Sequence, residues 1–414
     1  MTSFKTIQNG KIAGVVCVFM LLAAFCFPVS AAESDYSDSA DWNKFRGQNI
    51  SINVYNWGEY ISVDEGDPDG FDTNKEFEAL TGIKVNYTNF ASNEEMYAKL
   101  KSGGSSYDIV IPSDYMIARM INENMLEKLN FENIPNFSHI MENFRQNAYD
   151  PRDEYSVAYM WGIMGIIYNT TLIDPEDDME TWDILWNEKY AKDILMFLNS
   201  RDAFAISLMR LGYNPNTTDE EQIKEASGKL KDQKLLVQAY VMDEIFDKMG
   251  GGEAALAPYY AGDAITMIED NPDLAFAVPA EGTNVFVDAM CIPKGAKNKA
   301  AAEMYINFMC ETATALANCE YIGYSTPHTE AYDLLDDETK ESISYPSGEI
   351  LEKAVAYIAL PQATTRLIDG LWTEIMSSES GSGGWKVPVL LVVSIITILY
   401  INIRRRHKKS RREL

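Results

Sequence analysis

Residues 50–60, ISINVYNWGEY, decide the fold when read with IKVNY at 83–87, SNEEMYAKL at 92–100 and YDIVIPSDY at 107–115. Ile50, Ile52 and Val54 alternate onto one face of a strand, and Ile83, Val85 and Tyr87 do so again. The segment 71–80 between them has helical spacing and stops at Gly82. Ser92 with Glu95 forms a capping box that opens a helix through Leu100. Ile109-Val110-Ile111 is a short apolar strand ending at Pro112-Ser113. This strand–helix alternation predicts an α/β fold with a mainly parallel sheet. Ligands of such sheets sit beyond the carboxyl ends of the strands. Trp57-Gly58-Glu59-Tyr60 and Ser113-Asp114-Tyr115 follow strands directly, which puts them at that edge.

Further along, the apolar segment 159–168, with Gly162 and Gly165, suits a crossing between two lobes. Thr218 with Glu221 caps a polar helix through Lys231. The segment 285–292 is an apolar strand carrying one acid, Asp288. Residues 299–319 read as one amphipathic helix with Ala301, Tyr305, Phe308 and Met309 on one side. No internal repeat is visible.

The chain has 414 residues and a net charge of −27. Its basic residues concentrate at the ends, so 33–384 carry 25 basic against 61 acidic side chains, a net −36. A surface that acidic repels phosphate, which excludes a nucleic-acid partner and favours small cations. An apolar fraction of 46%, with 11% aromatics, excludes a disordered chain. His139, His328 and His407 are too few and too scattered for a zinc site or a histidine-based triad. Cys17 and Cys26 lie near the N-terminus, and Cys291, Cys310 and Cys319 have no metal-ligand spacing. Buried thiols are the simplest reading, with a Cys310–Cys319 disulfide left open.

At the N-terminus, Lys5 and Lys11 precede an apolar run over 13–29 and the small residues Ser30-Ala31-Ala32. This is the pattern of a signal peptide over 1–32, with an uncleaved anchor helix as the alternative. Phe25 stands where a lipoprotein signal needs a small residue, which excludes lipidation of Cys26. An acidic lead-in, 33–47, follows, and 377–386 is a flexible spacer. The apolar run 387–403 would rise about 25 Å as a transmembrane helix. The basic tail 404–414 places the C-terminus in the cytoplasm, and Trp385 suits the outer interface. A cell-wall sorting signal is disfavoured because the Thr of Leu360-Pro361-Gln362-Ala363-Thr364 falls one place late. The body is therefore expected outside the cytoplasmic membrane, in the periplasmic space or at the cell surface, tethered by one helix.

The motifs YNWGEY (55–60), SNEEMYAKL (92–100), YDIVIPS (107–113), LGYNPNT (211–217) and IGYSTP (322–327) resemble, in order and spacing, the polyamine-binding proteins of spermidine/putrescine ABC transporters. The resemblance runs from about residue 48 to 376. It implies a two-lobed periplasmic-binding-protein-like fold of type II, with a hinge between the lobes. The first lobe would hold 48–164 and 288–328, and the second 165–287 and 329–376. Trp57, Glu59 and Tyr60 match the family's first ligand loop, and Ser113 and Tyr115 its second. Asp202 falls where the family has an acid that takes an ammonium, and Asp263 matches an acid of putrescine-binding relatives. Tyr260 and Phe286 stand where Trp is common, Asp288 matches the acid two residues later, and Tyr324 matches the aromatic of IGYSTP. Two departures bear on chain-length preference: Asn199 replaces an acid of spermidine-preferring members, and a late Gln has no clear equivalent near Tyr357-Ile358.

Physical chemistry asks for the same mixture. A polyamine is a methylene chain with separated positive charges, and burying each charge costs several kcal/mol unless carboxylates replace the water. Aromatic faces wall the methylenes and attract ammonium groups, at ~0.5–2 kcal/mol each. Each residue also has a structural alternative. Trp57 and Tyr60 would suit a core, Asp288 a structural salt bridge, Asp202 a pair with Arg201 or Arg210, and Asp263 a helix N-cap before Ala264. The expected function is an extracytoplasmic, monomeric polyamine receptor that needs no cofactor or metal and catalyses nothing. It would deliver ligand to ABC permease subunits served by a cytoplasmic ATPase. Its rivals are a binding protein for another small cationic solute or amino acid, an adhesin or sensor, and a secreted acidic hydrolase.

Overall fold

The computed structural model describes residues 36–378, except 38, 39, 65, 67–69, 104 and 105. The signal peptide and the C-terminal membrane helix expected from sequence lie outside the described residues, among which no helix is long and apolar enough to cross a membrane. Ten strands form the sheet: β1 (Ser51–Trp57), β2 (Lys84–Phe90), β3 (Ile109–Val110), β4 (Ser156–Asn169), β5 (Ile194–Phe197), β6 (Val237–Val241), β7 (Leu256–Tyr260), β8 (Leu274–Ala277), β9 (Thr283–Cys291) and β10 (Ala354–Ala356). The order along the main path is β2-β1-β3-β9-β4-β7-β5-β6, with β10 beside β9 and β8 beside β4.

The expected parallel pairing holds within each half but not at the centre. β1 runs parallel to β2 and β3, and β5 runs parallel to β6 and β7. Between these halves lie β4 and β9, antiparallel to each other. β4 has 14 residues and serves both sides. Its first part, Ser156 to Ile163, pairs with β9, and Met164 to Asn169 pair with β7 and β8. Gly165 lets β8 approach, because a Cβ there would lie 2.4 Å from the Phe276 ring and 2.5 Å from the Ala277 carbonyl oxygen.

Local signals set most boundaries. The helix Thr73–Thr81 ends on Gly82 in the left-handed conformation, φ 73°. Ser92 caps Asn93–Lys101 by accepting from the Glu95 N–H at 3.1 Å. Two expectations shift. The polar helix Glu220–Gln233 is capped by Asp219 rather than Thr218, since the Asp219 carboxylate accepts from the N–H groups of Glu221 and Gln222. The single helix over 299–319 is two, Lys299–Met309 and Thr312–Ile322. The break falls at Cys310-Glu311, where the Glu311 carboxylate turns to accept from Asn136 and Ser37. Cys291, Cys310 and Cys319 are buried free thiols.

Two apolar clusters hold these layers. One gathers Ile52, Val54, Phe77, Ile109, Ile111, Phe308 and Ile322. The other gathers Ile166, Ile194, Phe197, Phe204, Leu256 and Ile245, and reaches Tyr55 and Val110. Trp57 and Tyr260 pack against both.

Candidate functional site

The strand ends and the middle of β9 converge on a cavity of about 580 Å³, part of it open to solvent. Trp57 is the last residue of β1, and Tyr60 lies in the turn beyond it. Ser113 precedes the helix Asp114–Asn122 and makes an isolated bridge with Asp288. Asp202 occupies the first turn of the helix Ser200–Arg210 that follows β5. Tyr260 ends β7, and Asp263 lies in the first turn of the next helix, Ala261–Asp270. Phe286 and Asp288, two apart on β9, point to one face. Tyr324 follows Gly323, whose left-handed φ of 72° ends the helix before it.

Ten of the eleven site residues expected from sequence line this cavity. Glu59 does not: its backbone is left-handed, φ 44°, and its side chain is exposed outside the lining. Its charge nevertheless helps hold the Asp263 and Asp243 carboxyls up. Sequence reasoning missed Asn93, Asp114, Met242, Asp243, Tyr259, Asn284 and Tyr357 in the lining. Asp114 carried a usable signal, as the acid between Ser113 and Tyr115 just past a buried strand. Asp243 and Tyr357 sit in stretches with no such local pattern.

The lining contains five aspartates and, among the described residues, no lysine or arginine. Three of the five are tied down by hydroxyls. Asp288, 4% exposed, accepts from Ser113 at 2.6 Å and Tyr60 at 2.7 Å. Asp202, also 4% exposed, accepts from Tyr260 and from the Asn199 amide, each at 2.7 Å. Asp263 accepts from Tyr324 at 2.8 Å. Asp202 makes no direct ion pair with Arg201 or Arg210, although the Arg201 charge still favours its ionised form. Arg201 donates to the Pro215 carbonyl and Asn216, and Arg210 pairs with Asp183. Asp263 lies inside its helix and does not cap it.

Burial dominates the electrostatics. Loss of water pushes Asp202 and Asp288 up to about 6 and Asp114 and Asp263 to about 8. The carboxylates also feel one another: Asp202 raises Asp288, and Asp288 raises Asp263. The hydroxyls stabilise the ionised forms but supply no positive charge. Aromatic rings close the walls. Tyr60 meets Tyr324 edge to face at 4.9 Å, Tyr260 meets Phe286 at 5.3 Å, and Tyr115 meets Tyr357 at 6.0 Å. Tyr60 and Tyr324 also belong to the buried cluster, so core and cavity wall are one surface here. Such a cavity suits an elongated cation with an apolar middle. Among the described residues no group of His, Cys, Asp and Glu is arranged to hold a metal ion.

Two parallel half-sheets joined by crossing antiparallel strands, with a ligand-sized cavity at the junction, define a solute-binding protein. The chain belongs to the bacterial extracellular solute-binding protein family, whose pattern matches residues 105–354. It is 34% identical over 307 residues to the spermidine/putrescine-binding periplasmic protein of Salmonella typhimurium, an alignment covering 74% of this chain and 86% of that one. A solved structure from Listeria monocytogenes is 35% identical with a TM-score of 0.75, covering 80% of this chain and 99% of that one. The spermidine/putrescine ABC transporter substrate-binding protein of Streptococcus pneumoniae is 37% identical with a TM-score of 0.64, covering 79% and 99%.

Proposed function

We propose that the protein is an extracytoplasmic polyamine receptor that binds putrescine or spermidine and delivers it to an ABC importer. The observation that carries this reading is the row of buried aspartates, Asp202, Asp288 and Asp263, in an aromatic-walled cavity whose described lining holds no cation. Separated ammonium groups would replace the missing counter-charges, while Trp57, Tyr60, Tyr115, Tyr260, Phe286 and Tyr324 would wall the methylenes. Glu59 would act from the rim as a long-range attractor.

Binding would draw together two lobes hinged at the β4 and β9 crossings, and the closed form would dock on the permease. The lobes would comprise 48–164 with 288–328, and 165–287 with 329–376. The packing of Tyr332, Leu335 and Tyr345 on the first cluster supports moving 329–345 to the first lobe. The signal peptide would export the body, and the helix over 387–403 would keep the receptor beside its permease. The receptor would act as a monomer and perform no catalysis. The test is thermal unfolding with each polyamine added, since a ligand at 100 times its Kd stabilises the folded state by about 2.7 kcal/mol. A midpoint raised by putrescine or spermidine, but not by equal ionic strength of sodium chloride, supports the reading. Unchanged midpoints at millimolar polyamine refute it.

A further inference from the structure

We propose that Asp243 is an additional ammonium-binding carboxylate, which completes with Asp263 a subsite for one end of the ligand and engages when the Gly58 turn closes over it. This rests on the polyamine reading above. Asp243 immediately precedes the helix Glu244–Gly250, a place where Asp normally caps the free amides. Here its backbone is already helical, φ −58° and ψ −21°, and its side chain makes no cap bond. The carboxylate lines the cavity instead. No donor among the described residues reaches it, in contrast to Asp202, Asp263 and Asp288, which each accept from a hydroxyl.

Its neighbour across the cavity is the Gly58 backbone. A Cβ on Gly58 would lie 1.9 Å from Asp243 Oδ2 and 2.7 Å from its Cγ, so the carboxylate occupies the space a side chain would need. Gly58 follows β1 and Asp243 follows β6, strands of opposite parallel halves. The contact therefore exists only with the halves together. Closure brings Asp243 into a wall that already holds Asp263, with Glu59 close enough to repel both. Asp243, Glu59 and Glu244 set like charges against that state, while Asp263 stays largely protonated until a cation enters, and an ammonium group between Asp243 and Asp263 releases that proton and turns the repulsion into attraction. Asp243 is thus placed to make closure depend on a charged ligand.

The test is calorimetric titration of the full chain, wild type, Asp243→Asn and Gly58→Ala, with putrescine and with spermidine. Asp243 is exposed at the mouth of the cavity it lines, so its charge-assisted contact predicts a moderate loss, roughly three- to tenfold weaker binding, for Asp243→Asn. The asparagine variant should also lose part of the salt dependence of affinity while its ligand-free unfolding midpoint is not lowered. Gly58→Ala, which displaces the carboxylate without removing its charge, should weaken both polyamines as well. Wild-type binding with Asp243→Asn inside twofold of it overturns the role of Asp243 and leaves the polyamine reading standing. Absence of wild-type binding to either polyamine overturns both.

Discussion

Asp263 makes the proton balance of binding measurable. Burial raises its carboxyl to about 8, with Asp243, Glu59 and Asp288 adding to the rise against the opposing Tyr324 hydroxyl. At pH 7 the ligand-free group therefore carries roughly 0.9 of a proton. An ammonium placed against it favours the carboxylate, so the proton must leave as ligand arrives. Asp263 alone should release close to one proton on binding at pH 7, and its share makes affinity rise nearly tenfold from pH 6 to 7, less from 7 to 8, and level off above. Asp202 and Asp288, at about 6, contribute only about 0.1 proton each at pH 7 and extend the loss of affinity below pH 6. Calorimetry in buffers of different ionisation enthalpy counts the released protons directly. Asp263→Asn keeps the shape and an oxygen for Tyr324 but removes the titration, so proton release should fall by close to one proton. The same replacement should raise the unfolding midpoint of the ligand-free protein at pH 8 by about 2 °C or more and leave it unchanged near pH 4. A carboxyl held above its unfolded pKa loses stability as pH rises between the two values. Equal proton release by wild type and variant, or affinity that strengthens as pH falls, would refute this reasoning.

Asp288→Ala removes a carboxylate that accepts from both Tyr60 and Ser113, and should weaken polyamine binding roughly 100-fold by calorimetry. Gly262→Ala would set a Cβ 2.2 Å from the Tyr324 ring. Because Tyr324 is 5% exposed and cannot yield, the overpacking should cost about 1–3 kcal/mol and lower the ligand-free unfolding midpoint, and affinity should fall at least about tenfold. Wild-type affinity in this variant would show that the Tyr324–Gly262 contact is not needed in the bound form. Deleting 385–414 should move the protein from the membrane to the soluble fraction with its affinity intact, and a lost affinity would contradict a pure tether.

The fold was legible wherever a short segment carried its own reason. Ser92 with Glu95, Gly82, and the apolar run of β3 ending at Pro112 each fixed a boundary locally. Asp288 stood out because an acid in an apolar strand needs a partner. The centre of the sheet was less legible, since the antiparallel pairing of β4 with β9 joins segments more than 100 residues apart and leaves no periodic mark distinguishing it from parallel pairing. The 299–319 helix reads as continuous because its apolar spacing persists through Cys310-Glu311, and the break comes from partners at Ser37 and Asn136. Asp243 and Tyr357 reach the cavity through tertiary placement alone. Glu59 had the right neighbours in sequence, yet its left-handed backbone turns it outward.

The central claim is that buried carboxylates in a cavity whose described lining holds no cation bind a polyamine. The most direct measurement is calorimetric titration of the folded, ligand-free protein at pH 7.5 with putrescine, then spermidine, then arginine. Micromolar or tighter binding of at least one polyamine, with no comparable heat from arginine, is the expected result. Heat from arginine alone, or from none of the three, would contradict it.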